Sequence, residues 1–458
     1  MTIALRQVTI PDFGPIAAPP AVPPATYAAR CDSALTAAGT EWLAVYADRE
    51  HMANVMFLSG FEPRFEEALL LLGPGGRRAL ITGNECESYA ALSTLPGLDV
   101  LLAQTMSLLG QDRSKAPRLT DVLRSAGLRR GDSVGVIGWK YIDRDEWGDM
   151  EDGDTVPSFV PAIHIEALRS VAGADQVSDV TPVMLHPEHG QRSIIDADQI
   201  VIFEAAAARA SEMVWNVVRG TQPGDLERDA ARNFAYRGEP MNVHAMLATG
   251  DAARGAVIGL ASPGWRRIAR GDGASTAVGL WGGLTARAGL VDDRNDEFVA
   301  TASAYFAALV GWYALADIGV AGADVYAGVS ATLAEGGLRS LLNPGHLTGH
   351  EEWSHTPIRS GSTDCIRSGM HMQVDIIPTP MRAGWALNCE DSVVFADATL
   401  RADIAARYPD LWARIEARRT FVRTILGVAM SESVLPLSST PLCLAPLWLR
   451  SDHLLVQT

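Results

Sequence analysis

Three histidines, His346, His350 and His355, lie within ten residues of one another and are followed by two acids on apolar segments, Asp375 and Glu390. The first segment reads Gly369-Met370-His371-Met372-Gln373-Val374-Asp375-Ile376, and the second Asn388-Cys389-Glu390-Asp391. Strand alternation puts His371, Gln373 and Asp375 on one face. In the second segment it puts Asn388, Glu390 and Ser392 on one face, with Cys389, Asp391 and Val393 opposite. Pro378, Pro380 and Gly384 between the segments are turn residues, so a hairpin centred near Arg382-Ala383 sets Asp375 almost opposite Glu390. Two facing acids beside a histidine make a metal site or an acid/base site. A wet sheet face without chemistry is the plain alternative.

The elements that must hold these residues are legible along 458 positions, long enough for two or three domains. Residues 1–25 are rich in proline and alanine and read as an extended arm with no packed structure of its own. A helix over Tyr27 to Ala38, strands over Trp42 to Tyr46 and Val134 to Gly138, and a hairpin from Ala68 to Thr82 across Pro74-Gly75-Gly76 indicate an α/β domain spanning 26–185. Asp143 to Asp154 reads as an acidic surface loop. His186 and His189 sit on a Pro/Gly-bearing junction and read as linker residues, not ligands. A second domain, 190–458, opens with a long Ala-rich helix from Ile194 to Val218 ended by Gly220. A glycine-punctuated strand region follows over Ser275 to Val291, with helices near Asp296 to Ala316 and Asp324 to Ala334. Leu411 to Leu426 reads as a surface helix with a solvated basic face (Arg414, Arg418, Arg419, Arg423). The apolar tail after it reads as one or two strands closing the sheet.

A net charge of −16 argues against a partner that presents a phosphate backbone. Five scattered cysteines suit reduced thiols in a cytoplasmic protein. No apolar run approaches membrane-spanning length, and no secretory signal is visible, so neither nucleic acid nor membrane is an expected partner.

The order of these signals resembles the creatinase/prolidase/aminopeptidase P superfamily over most of the chain. In the first half the matching residues are Asp48-Arg49-Glu50-His51 with Asn54, and Leu58-Ser59-Gly60-Phe61-Glu62-Pro63-Arg64. In the second half they are Thr221 to Glu227, His346-Leu347-Thr348-Gly349-His350, Gly369-Met370 through Asp375, and Glu390-Asp391. The resemblance implies an α/β N-terminal creatinase-like domain plus an α+β pita-bread C-terminal domain, a small-molecule substrate and a homodimer. It also implies two metals held by two aspartates, a histidine and two glutamates. The aspartates belong on the strand pair that here reads Thr276 to Val291, which contains no Asp or Glu. Thr285 and Arg287 stand there instead, and Val257-Ile258-Gly259-Leu260 replaces the family's substrate-side histidine. His350, Asp375 (a shortened glutamate) and Glu390 survive.

Three readings follow from that resemblance. In the first, the protein is a creatinase-like hydrolase of an amide or amidine C–N bond in a small zwitterion, working without metal. His350 or His355 is then the acid/base, and Asp375 and Glu390, with Glu351 or Glu352, anchor the substrate. In the second, His350, Asp375 and Glu390 hold one divalent cation (Zn²⁺, Mn²⁺ or Fe²⁺) in an enzyme of the Xaa-Pro aminopeptidase or prolidase type. In the third, the fold is a catalytically inactive binding scaffold. His346 falls on the substrate side of the two-histidine motif. Phe61 and Arg64 sit where creatinase-like dimers reach into the partner's cleft, with Arg64 set to clamp a carboxylate; an ion pair with Glu66 or Glu67 is its alternative. His244 is a stand-in for the missing histidine or an ordinary packed or surface one. Arg287 is a candidate to neutralise the acids. Trp281 and Trp353 read as packing.

Overall fold

The computed structural model describes residues 2–114, 117–148, 156–255, 257 and 259–458. Residues 149–154 of the expected acidic loop and Ile258 lie outside the described residues. What is described of that loop includes a helical turn, Arg144–Trp147. The chain divides into two compact units, Ala21–Ser193 and Met1–Pro20 with Ile194–Thr458.

The Ala21–Ser193 unit is built on a mixed six-stranded sheet. Its order is Leu98–Leu102, Arg77–Thr82, Ala68–Gly73, Trp42–Ala47, Val134–Ile137, Val177–Asp179. The unbroken apolar run Ala68 to Leu72 is explained by cover on both faces. Leu69 and Leu71 pack with Val122, Leu123 and Leu168, while Leu70 and Leu72 pack with Phe57, Leu58 and Phe61. The helix Pro24–Ala38 stops at Gly39, whose φ of 65° is the left-handed conformation that favours glycine just past a helix end.

The other unit contains α1 (Ala197–Gly220), β1 (Met241–Gly250), β2 (Gly273–Leu280), β3 (Gly283–Leu290), α2 (Asp296–Leu315) and α3 (Gly322–Glu335). It continues with β4 (His346–Leu347), β5 (His371–Val374), β6 (Asn388–Phe395), α4 (Pro409–Thr424) and β7 (Val434–Pro436). The seven strands form one antiparallel sheet in the order β4-β5-β6-β3-β2-β1, with β7 paired to β6. Helix α1 lies so close to the β2–β3 turn that a Cβ on Gly283 would meet the Ala207 backbone at 2.6 Å. That contact is why this turn is glycine-rich without being a phosphate loop.

Three expectations change here. Ile3–Gln7 is not a free arm: it pairs antiparallel with His453–Gln457, because the chain's two ends offer complementary edges. Helix α2 is, by length and composition, apolar enough to cross a membrane, contrary to the expectation for every segment, yet it buries Phe298, Tyr305, Phe306 and Trp312 in the core. Three of the four arginines on the basic face of α4 are buried, and only Arg423 is partly exposed. Arg414 and Arg418 are buried against Glu204 of α1, at 2.8 Å and 2.7 Å, and Arg419 is buried beside Glu432. A single helix shows its charges but not the counter-charge that another element brings to them.

Candidate active site

Strands β5 and β6 pair antiparallel with Val374 opposite Asp391, so Asp375 continues the ladder opposite Glu390. The two carboxyl groups hydrogen-bond to each other, and both residues are buried. Burial drives the Asp375 carboxyl well above the ordinary carboxylate range, and the charges of Glu390 and Glu352 add to it. Burial also raises Glu390, against the lowering effect of an Asn388 side-chain hydrogen bond. Two carboxyls this close cannot both ionise, so the pair holds one proton, and Asp375 is the member that keeps it. The hydroxyl of Tyr305 on α2 accepts the Cys389 N–H at 3.0 Å and pins β6 from behind.

Strand β4 adds the histidine. His346 pairs with Gln373 of β5, which brings its Nε2 to 3.9 Å from Asp375 Oδ2. Glu352 Oε1 lies 3.1 Å from the same nitrogen, at ion-pair distance but off the line of a hydrogen bond. The Nδ1 side faces the Leu347 carbonyl at 3.2 Å. Trp353 stacks on the imidazole with centroids 4.0 Å apart and planes 20° apart. Asp375 Oδ1 and Asn388 Oδ1 are buried without a hydrogen-bond partner in the protein. Such orphans mark a place where something else binds, water included.

No protein-family model matches the sequence, and no curated protein matches it. Solved structures do. A prolidase from Pyrococcus horikoshii OT3 aligns with a TM-score of 0.61 at 16% identity, over 81% of this chain and 95% of its own. The dipeptidase PepE from Mycobacterium ulcerans aligns with a TM-score of 0.60 at 19% identity, over 82% of this chain and 94% of its own. An X-Pro aminopeptidase from Thermotoga maritima MSB8 gives 0.61 at 14% identity, over 81% and 95%. The chain has the two-domain pita-bread fold of these solved structures.

Within the pita-bread unit, the structure brings together His346, Glu352, Asp375 and Glu390, and the other sequence candidates make the following contacts. The ring of His350 packs edge-on against Phe203 at 5.3 Å and Trp281 at 6.4 Å. Phe203 also touches His371, which is buried without a partner at either ring nitrogen and pushed down to about 3 by burial. His371 is therefore a neutral packing residue. His355 bridges to Leu347, and its Nδ1 accepts the Thr356 N–H at 2.8 Å. His244 is exposed on β1, beside a bulge between Val243 and Met246.

Arg287 does not neutralise the Asp375–Glu390 pair. It is in register with Cys389, so it projects to the opposite face of the sheet and binds both Asp391 oxygens at 2.9 Å. In the Ala21–Ser193 unit, Phe61 is buried in the core instead of being presented to a ligand. Arg64 pairs with Glu62 at 3.2 Å and donates to the Tyr89 hydroxyl, whereas Glu66 accepts backbone N–H groups of Glu85 and Cys86. The Glu66 carboxylate is thus taken by backbone amides, and Arg64 pairs with Glu62 instead.

Among the described residues, no group of three or more His, Cys, Asp or Glu side chains is placed to hold a metal ion. His350, Asp375 and Glu390 are thus not a ligand set. The acids face each other across a hydrogen bond, and the β2–β3 hairpin offers no further carboxylate. The residues present do not fit the cation that the resemblance implies. Trp353 and Asn388 were not marked by the sequence as site residues. Asn388 shares its strand face with Glu390, which is the signal that could have found it.

Proposed function

We propose that the pita-bread unit hydrolyses an amide or amidine C–N bond of a small zwitterionic substrate, with the Asp375–Glu390 pair as its acid/base machinery and His346 beside it. The observation that carries this reading is a buried, mutually hydrogen-bonded carboxyl pair with an orphaned oxygen, Asp375 Oδ1. Two carboxyls sharing one proton place a base and an acid side by side.

Ionised Glu390 takes a proton from water as the water oxygen bonds to the amide carbon. Asp375 gives its proton to the carbonyl oxygen. When the tetrahedral species collapses, the C–N bond breaks, the hydroxyl proton returns to Asp375, and Glu390 passes its proton to the leaving nitrogen. Protons and charge balance over the cycle, and no step runs through a metal. His346 Nε2 lies 3.1 Å from Glu352 and 3.9 Å from Asp375, and when protonated its charge favours ionised Glu390. Three carboxyls against one imidazole favour a ligand whose cationic end enters first.

The names of the solved neighbours, prolidase, dipeptidase and X-Pro aminopeptidase, make dipeptides the first class to try. The resemblance and the composition further suggest a homodimer in the cytoplasm. The test is turnover of dipeptides, N-acyl amino acids and amidines by purified protein, with elemental analysis and with chelator. Turnover that survives chelation and falls about 10²-fold or more in Glu390→Gln and Asp375→Asn supports the reading. Full turnover in either folded variant rejects it, as does a stoichiometric metal whose removal abolishes turnover.

A further inference from the structure

His346 is fully buried, yet two of its contacts come from one partly exposed loop. That loop starts at β4 and is closed at its stem by Leu347 N–H to the His355 carbonyl, 2.7 Å, and Ser354 N–H to the Leu347 carbonyl, 3.1 Å. Gly349 N–H and the Thr348 hydroxyl both donate to the Glu351 carbonyl, so the turn satisfies part of its own backbone. At the tip, the Glu352 side chain is 26% exposed and Trp353 is 38% exposed. Beneath them His346, Asp375 and Glu390 are 0%, 4% and 7% exposed. Glu352 and Trp353 thus stand between solvent and the buried His346 ring beside Asp375.

We propose that the loop tip, Glu352–Trp353, is a lid over the carboxyl pair, latched onto the His346 imidazole by the Glu352 carboxylate at Nε2 and the Trp353 indole on the ring face. The latch is balanced. The Glu352 charge raises both Asp375 and Glu390, which is the signature of like charges crowded together and opposes closing. The Glu352 contact at the ring edge and the Trp353 stack on the ring face act against it. A closed state held by two contacts on one ring opens at modest cost, as binding-site lids must. The base of the loop stays fixed, because Thr348 N–H donates to the His371 carbonyl and the His350 ring packs on Phe203. The lid's role in catalysis rests on the proposed hydrolysis, but its closure does not.

The test is diethyl pyrocarbonate labelling of the full chain without substrate, read histidine by histidine by peptide mass spectrometry. Exposed His244 serves as the fast standard and buried His371 as the report of unfolding. His346 is expected to label about tenfold or more slower than His244 in the wild type. Glu352→Gln and Trp353→Ala are each expected to speed it severalfold, while Trp353→Phe, which keeps a stacked ring, leaves it slow. Wild-type His346 labelling as fast as His244 overturns the proposal. So does a His346 rate unchanged in Glu352→Gln and Trp353→Ala while His371 stays unlabelled. Should Trp353→Ala label His371, the near-isosteric Glu352→Gln alone decides. No turnover is measured, so loss of the lid and loss of the proposed activity are separate results.

Discussion

Replacing Arg287 by methionine tests whether this residue holds the sheet together or serves the site. Its guanidinium is 1% exposed and fully engaged. Nη2 donates to both oxygens of Asp391 at 2.9 Å and to the Thr440 carbonyl at 2.7 Å. Nη1 donates to the carbonyls of Ala286 and Glu390 at 2.8 Å, and Nε to the Cys443 carbonyl at 2.7 Å. Removing one partner of such a buried pair leaves a charge without compensation, at a cost of roughly 3–5 kcal/mol. Asp391 keeps the Leu442 N–H at 2.9 Å and the weak Cys389 thiol donor at 4.0 Å, which places the loss toward the lower end of that range. The assay is denaturant unfolding of the full chain, followed through the transition of the pita-bread unit, with the slope checked for constancy. Replacing both partners, Arg287→Met with Asp391→Leu, removes the stranded charge and is expected to recover about 2 kcal/mol relative to the single variant. A single variant that loses less than about 1 kcal/mol refutes the reasoning. A double variant no more stable than the sum of its parts refutes it equally.

Three further outcomes follow from burial and charge. The folded chain keeps a proton on Asp375 that the unfolded chain releases in the ordinary carboxylate range, so this contribution to stability is lost as pH rises toward the folded value; Asp375→Asn should flatten that decline in a pH series of denaturation midpoints, and an unchanged slope counts against a proton held there. Burial pushes the Cys389 thiol up to about 12, so native protein at neutral pH should resist maleimide at Cys389 while partly exposed Cys365 reacts; early modification of Cys389 in mass mapping would contradict this. Glu204→Gln strands the charges of Arg414 and Arg418 in the interior and should cost about 3 kcal/mol. Arg423→Met, at a third-exposed position near Glu432, should cost about 1 kcal/mol or less, and equal losses in the two variants would disprove the distinction.

Strand alternation and turn residues were enough to set Asp375 opposite Glu390, because a hairpin register depends only on local chain geometry. The same local rules found the hairpin Ala68 to Thr82 and the helix ended by Gly39. What escaped the sequence is what depends on distant elements. Nothing near Arg414 and Arg418 announces Glu204, some two hundred residues earlier on α1. Nothing in Ile3–Gln7 announces the strand at the other end of the chain. The identity of the imidazole at the acids was also out of reach. His346 and His350 are four residues apart on an irregular segment, where no periodicity tells which ring turns toward β5. Arg287 was misplaced for a simpler reason: its face follows from pairing with Cys389, a register that the sequence of β3 alone does not contain.

The shared proton between Asp375 and Glu390 underlies both the proposed chemistry and the pH behaviour. Infrared difference spectroscopy of the ligand-free protein at neutral pH tests it most directly. A band from a protonated carboxylic acid that disappears in Asp375→Asn is the expected result. A wild-type spectrum that shows only ionised carboxylates, with no band lost in that variant, contradicts it.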